Sequence, residues 1–192
     1  MSATKKAGVA RFEALYANSS DPWGYDTSAY ERTKYLDTLA ALPAGGIARA
    51  LEVGCSIGAF TQLLAARCGR VLALDFSQQA LALARERLAG VANVELRHAR
   101  FPEQAPRGEW EAIVCSEVLY YLDAPALARA IDWLHARLRA GASVLAVSWR
   151  GVGADEPFLG DEVHDRLLRE LGPWHALDGR REGYRLDRFD PR

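Results

Sequence analysis

The chain has 192 residues, 49% of them hydrophobic and 26% charged, with a formal net charge of −1. That length suits one domain, or one domain with a small appendage, and a core that needs no metal or disulfide staple. Twenty-four Lys+Arg against 25 Asp+Glu argue against the clustered positive surface that nucleic-acid binding requires. Arg180, Arg181, Arg185 and Arg188 are interleaved with Glu182, Asp187 and Asp190, a pattern that reads as a solvated surface. Three cysteines (Cys55, Cys68, Cys115), none in a CxxC or Cys/His cluster, predict neither a disulfide framework nor a metal site. No secretory apolar stretch and no membrane-length apolar run is visible, so the expectation is a soluble, cytoplasmic protein with no membrane or nucleic-acid partner.

After about ten residues without a structural pattern, VARFEALYA (9–17) reads as a short helix, followed by turn-forming SSDPWGYD. Ser28-Ala-Tyr-Glu31 has the spacing of a capping box, and Tyr35, Leu39 and Leu42 continue a helix that PAGG (43–46) stops. From residue 47 the chain alternates. IARALEV (47–53) reads as a strand, AFTQLLAARC as a helix closed by Gly69, and VLALD (71–75) as a second strand. A helix capped by Ser77 follows, then strands at 93–98 and 110–115, a long helix near 125–139, and a fifth strand at 143–149. DEVHDRLLREL reads as a last helix, and the residues after Gly172-Pro173 as two strands joined by a polar turn. Near-continuous apolar strands alternating with helices predict a single α/β doubly wound sheet, mostly parallel, with helices on both faces. The two C-terminal strands would add an antiparallel hairpin and bring the sheet to seven strands. Residues 1–46 read as a helical cap or lid, and 47–192 as the sheet domain.

Ligands of such sheets bind where loops leave the carboxyl ends of the strands. LEVGCSIG (51–58) is the first such loop: Gly54 permits a sharp exit from the strand, and Gly58 a close approach of helix and ligand. The next strand ends in Asp75, 17 residues after Gly58, where a carboxylate can accept hydrogen bonds from both hydroxyls of a ribose. The plain alternative is a tight turn, with Asp75 capping the helix that starts near Ser77. A dinucleotide site would expect a glycine at Ser56, whose side chain crowds a pyrophosphate. Glu52 would repel phosphate yet suits a ligand carrying a sulfonium and an α-amino group, which points to S-adenosylmethionine.

Taken together, ExGxxxG at Glu52–Gly58, Asp75 after VLALD, and SEVLYYL (116–122) after the fourth strand resemble class I S-adenosylmethionine-dependent methyltransferases over residues 47–150. DPWGYDTSAYERTKYLDTLAALP (21–43) and DEVHDRLL (161–168) look more narrowly like the nodulation protein S family. Its members N-methylate the free amine on the non-reducing-end glucosamine of a deacetylated chitooligosaccharide. The resemblance implies that Glu52, Gly54, Cys55 and Gly58 line the methionine and ribose part of the cofactor, that Asp75 takes the ribose hydroxyls and that Phe76 packs on adenine. Ser116 and Glu117 would touch the methionine end. The acidic or amide side chain usual beyond the third strand is replaced by His98, Ala99 and Arg100, so backbone groups of Ala99 and Arg100 are the candidates for adenine. Trp23, Tyr25 and Tyr30 belong to the segment that closes over the cofactor in the resembled group.

The cofactor's carboxylate needs a cation, and Arg32 and Lys34 are the candidates. At about 100° per residue, Arg32 falls amid Tyr35, Leu36, Leu39 and Leu42 while Lys34 points about 200° away, so Arg32 is expected to be the inward one. Its competing partner would be Glu52 or Glu117. An amine acceptor must lose a proton, and Glu117, Tyr120, Tyr121 and His164 are the candidate bases. The leading reading is N-methylation of a small-molecule or oligosaccharide amine by a monomer or weak homodimer. O-methylation of another metabolite, a nicotinamide-dependent dehydrogenase and a non-catalytic scaffold remain open alternatives.

Overall fold

The computed structural model describes residues 3–153 and 156–192, with side chains described from residue 10 onward. Strands β1 (Ile47–Val53), β2 (Cys68–Asp75), β3 (Val94–His98), β4 (Ala112–Ser116), β5 (Ser143–Trp149), β6 (His175–Arg180) and β7 (Tyr184–Phe189) form one sheet. Their order is β3-β2-β1-β4-β5-β7-β6, parallel through β5, with β7 antiparallel to β5 and β6 antiparallel to β7. Because both faces are covered, strand residues are apolar on both sides. Leu51 and Val53 enter one core, and Ala50 the other. Helices α5 (Ala124–Arg139) and α6 (Gly160–Leu171) cover the first face. Helices α2 (Ala29–Ala40), α3 (Ala59–Ala65) and α4 (Gln78–Arg87) cover the second. The winding reverses between β1 and β4, so the loops leaving these two strands open toward each other at one end of the sheet.

Three local expectations change. Helix α1 runs Ala3–Asn18, well upstream of residue 9, as the alanines and lysines there permit; residues 1 and 2 lie outside the described residues. Gly69 does not close α3, which ends at Ala65; it lies inside β2, where a Cβ would come within 2.9 Å of the Ala48 carbonyl of β1. Glycine is therefore needed there for close strand pairing. The C-terminal charges are not all solvated either. Arg185 and Asp187 are both fully buried, because β7 lies between β5 and β6 and beneath α6. They pair, with Arg185 Nε 3.0 Å from Asp187 Oδ2, and Arg185 Nη1 reaches Asp165 at 2.7 Å.

Helix α2 belongs to the body of the fold. Ser28 Oγ accepts the Glu31 amide at 3.2 Å, which makes the expected N-cap. Tyr35, Ala41 and Leu42 join the core of the second face, and the Tyr35 ring lies 5.3 Å from that of Phe60. On its other side Asp37 accepts from Arg181 Nε at 2.9 Å and from the Tyr184 hydroxyl at 2.7 Å. The Tyr30 hydroxyl donates to the Gly183 carbonyl at 2.9 Å. The face presented inward is Glu31, Lys34, Tyr35 and Thr38, at i, i+3, i+4 and i+7.

Candidate active site

The loop after β1 is clamped from two directions. The amides of Gly54 and Cys55 donate to the Leu74 carbonyl at 2.8 and 2.9 Å. Gly54 has φ +82, and a Cβ there would stand 2.1 Å from Val118 Cγ2, so this turn tolerates only glycine. Gly58 has φ +79 and sits against Leu88 and Ala84, so its missing side chain serves the packing of α3 on α4. Ser56 holds φ +51 without being glycine, and its amide donates to Asp75 Oδ2 at 2.8 Å. The Ser77 amide donates to Asp75 Oδ1, also at 2.8 Å. Asp75 thus ties the glycine loop to the start of α4, as the capping reading has it, and each carboxylate oxygen keeps a further lone pair. Burial raises its pKa, and the backbone amides of Ser77, Ser56 and Phe76 only partly offset that.

Glu52 is a buried carboxyl near the end of β1. It is 2% exposed, burial pushes its pKa up to about 7, and the Thr61 hydroxyl lowers it only in part. Its Oε2 is a buried acceptor with no partner among the described residues. A buried carboxylate oxygen without a donor costs folding free energy, and a cationic amino group placed against it removes that cost. Cys55, buried beside it, has its thiol pKa raised by burial and packs as an apolar residue.

Across the cleft, the loop after β4 carries Glu117 at φ +55, a rarely occupied backbone conformation for a side chain of this size. Its Oε1 accepts from Lys34 Nζ at 2.7 Å, and its Oε2 accepts from the Tyr120 hydroxyl and from the Trp149 amide. Lys34 also donates to Glu31 at 2.9 Å and lies 5.1 Å from the centre of the Tyr30 ring. The expected orientation of α2 is therefore reversed. Lys34 is buried and Arg32 is exposed, while Leu36, which anchored the assumed stripe, is 56% exposed. The stripe is centred on Lys34 and Tyr35 because two acids, Glu31 and Glu117, compensate the ammonium. Burial alone would lower the Lys34 pKa, but these acids hold it above its ordinary value. Glu31 itself is raised by burial, which outweighs the help of Lys34.

The remaining candidates separate. Ser116 ends β4 beside the glycine loop, its carbonyl 3.7 Å from where a Gly54 Cβ would stand. Tyr120 is buried, and burial followed by the charge of Glu117 raises its pKa far above neutrality. It therefore stays protonated and donates to Glu117; it is not a base at neutral pH. His164 is not at the site. It is fully buried between α6 and β7, with Nδ1 2.6 Å from Asp187 Oδ2, and His175 Nε2 lies 2.8 Å from the other oxygen. As a candidate base His164 was expected near the carboxyl edge of the sheet, but α6 turns it onto β7, and the histidine's role is structural. Burial would raise the Asp187 pKa, yet the two histidines and Arg185 hold it below its ordinary value.

Of the backbone groups expected near adenine, the two amides are engaged: the Ala99 amide bonds to the Asp75 carbonyl at 2.9 Å, and the Arg100 amide to Gln104 Oε1 at 2.8 Å. The second contact shows that an amide side chain does stand beyond β3, brought back by a turn in which the Gln104 amide meets the Arg100 carbonyl. Phe76 packs edge-on against Phe12 of α1 at 5.5 Å, and Phe12 also meets Tyr121 at 5.1 Å, bridging the loops after β2 and β4. Glu13 accepts the amides of Gln78 and Gln79 at the start of α4, at 2.9 and 3.2 Å. The Tyr16 hydroxyl meets Ser56 Oγ at 2.7 Å, and Trp23 Nε1 donates to Tyr16 at 3.3 Å. Phe12, Glu13 and Tyr16 escaped the sequence reading, although Phe12 and Tyr16 stand at i and i+4. Glu31 escaped because the capping-box pattern assigned its side chain to Ser28.

A sheet of this order, with its ligand loop leaving β1 and an acid closing β2, is the fold class of the S-adenosylmethionine-dependent methyltransferases. The residues also fit the cofactor chemically: an orphaned buried carboxylate at Glu52 for an amino group, and free lone pairs on Asp75 for ribose hydroxyls. Residues 9–151 match the family model described as nodulation protein S (NodS), and the chain belongs to this family. A nodulation protein S of Bradyrhizobium diazoefficiens is 33% identical over 153 residues, 79% of this chain and 67% of that protein. One from Sinorhizobium fredii is 36% identical over 106 residues, 55% of this chain and 49% of that protein, so the chain spans half to two thirds of these relatives' length. The crystal structure of N-methyltransferase NodS from Bradyrhizobium japonicum in complex with S-adenosyl-L-homocysteine superposes with a TM-score of 0.79 at 24% identity, covering 95% of this chain and 97% of that one. Among the described residues, no helix is long and apolar enough to cross a membrane.

Proposed function

We propose that this protein N-methylates a small-molecule amine, with the free amino group of a deacetylated chitooligosaccharide as the leading acceptor. Membership of the nodulation protein S family supports the acceptor class. The observation that carries the site assignment is the unpartnered Oε2 of Glu52 on the wall of a loop pinned to Asp75. In this reading Glu52 takes the amino group of the cofactor, Asp75 its ribose and Lys34 its carboxylate. Gln104 is available to adenine, and Phe76 gives it an apolar wall. Residues 1–46 divide by role: α2 is fixed to the sheet, while α1 and the loop after it roof the cleft through Phe12, Tyr16 and Trp23.

When bound, the cofactor supplies a methyl group on a sulfonium, an electrophile that needs no activation by the protein. The chain's own residues have three tasks. They hold the acceptor nitrogen in line, they exclude water, and they take the proton that the nitrogen sheds as its new bond to carbon forms. In this reading Glu117 takes that proton, and the Tyr120 hydroxyl and Trp149 amide hold its orientation. The test is calorimetric titration with S-adenosylhomocysteine and with NAD, followed by a mass-spectrometric search for a methyl gain on glucosamine-terminated oligosaccharides. Binding of S-adenosylhomocysteine alone with a 14 Da gain (the mass of one CH₂, about 14 Da) supports the reading; binding of NAD alone overturns it.

A further inference from the structure

Trp149 stands out on β5. The other six residues of this strand are buried, yet Trp149 at its carboxyl end is 39% exposed. Its position is fixed on three sides. The backbone amide donates to Glu117 Oε2 at 3.0 Å, and β7 pairs Trp149 with Tyr184. The six-membered ring of the indole lies against Gly151, where a Cβ would come within 1.8, 2.2 and 2.4 Å of three ring atoms. A second exposed aromatic flanks the same acid. Tyr30, 36% exposed, reaches the Gly183 carbonyl, which also takes the Arg150 amide at 3.0 Å, and its ring lies over the Lys34 ammonium that pairs with Glu117.

An indole left 39% exposed, on a residue whose backbone amide holds the Glu117 carboxylate, lacks the burial that would make it a packing residue. Exposed apolar ring area contributes little to folding, and Gly151 has given up its side chain to seat the ring. The arrangement does suit an amino sugar: the C–H face of the pyranose covers the ring while its amine reaches the acid. We propose that Trp149 is the platform on which the amine-bearing sugar ring of the acceptor stacks, with Gly151 as the seat that sets the ring's tilt. This rests on the reading of the acceptor as an amino sugar and assigns the residue that selects it.

The test uses the full chain, with tryptophan fluorescence and turnover as separate readouts. The first probe is the fully acetylated chitin tetrasaccharide, which has no free amine to methylate; the second is its analogue with a free amine at the non-reducing end. Trp149→Ala is expected to abolish the sugar-induced fluorescence change and to raise KM for the second probe about tenfold, with kcat within about twofold. Affinity for S-adenosylhomocysteine, measured by calorimetry, should be unchanged, which also verifies folding. Trp149→Phe, which keeps a flat ring, should restore most of the affinity, and Gly151→Ala should reproduce the KM rise by displacing the indole. Methyl transfer with an unchanged KM in Trp149→Ala overturns the platform and leaves the N-methylation reading standing. Sugar binding that needs Trp149 without methyl transfer to the amine probe supports the platform and overturns that reading. Neither binding nor transfer in the wild type overturns both.

Discussion

Replacing Glu52 with glutamine should change stability and cofactor binding in opposite directions, and both follow from one buried carboxyl. Burial raises the Glu52 pKa from 4.5 to about 7, so the folded state holds this proton more tightly than the unfolded chain does. The associated stability is complete below about pH 4.5 and is lost as pH rises through about 7, amounting to about 3 kcal/mol. Glu52→Gln keeps the shape without the charge, so at pH 8 the ligand-free variant should be more stable than wild type by up to about 3 kcal/mol, and at pH 4.5 equal to it. The same variant should bind S-adenosylhomocysteine more weakly. At pH 6.5 about three quarters of the wild-type molecules carry the Glu52 proton, and pairing with an ammonium group should expel it. Calorimetric titration at pH 6.5 in buffers of different ionisation enthalpy should therefore show release of about 0.7 proton per ligand, falling to about 0.1 at pH 8. Absence of proton release, or release that persists in Glu52→Gln, would refute the placement of the amino group at Glu52.

Lys34→Ala should destabilise the protein by about 2–3 kcal/mol in urea melts at pH 8, at the low end for a broken buried pair because the Glu117 side chain is 20% exposed. The loss should shrink toward pH 5, since Glu31, already raised by burial, takes up a proton when its cation is gone. Arg32→Ala, on the exposed side, should stay within about 0.5 kcal/mol and leave S-adenosylhomocysteine affinity unaltered; equal losses for the two variants would mean α2 is rotated from the orientation described. Gly54→Ala should cost about 2 kcal/mol or more, and adding Val118→Ala should recover only the part due to the 2.1 Å clash, leaving the cost of φ +82. His164→Ala should lose about 2–3 kcal/mol of stability by stripping one partner from buried Asp187. Its kcat per folded molecule should remain within about twofold of wild type, and a selective loss of kcat would return His164 to the chemistry.

The sheet, the glycine turn and the acid at the tip of β2 were legible in the residues because all three depend on local chemistry. Continuous apolar runs specify strands covered on both faces, and a glycine at φ +82 and an acid at a strand tip are needed at fixed distances along the chain. The Lys34–Glu117 side of the cleft was not legible, because it is assembled from pairings remote in sequence. Lys34 and Glu117 are 83 residues apart, and a helical wheel that weighs only apolar side chains turns α2 the wrong way when the inward residue is an ion-paired lysine. Likewise, alternating charge along β7 reads as surface until β6 closes one edge and α6 one face, and then Arg185 and Asp187 neutralise each other inside. Glu31 shows the same limit within four residues: its backbone amide follows the local capping rule, while its side chain goes to a lysine that needs two acids. By itself the sequence determined the strand order's ingredients, the glycine turn and the acid at the tip of β2. Which charges point inward was decided only by the tertiary structure, because the cost of burying a charge depends on whether an opposite one, contributed from elsewhere in the chain, arrives within about 3 Å.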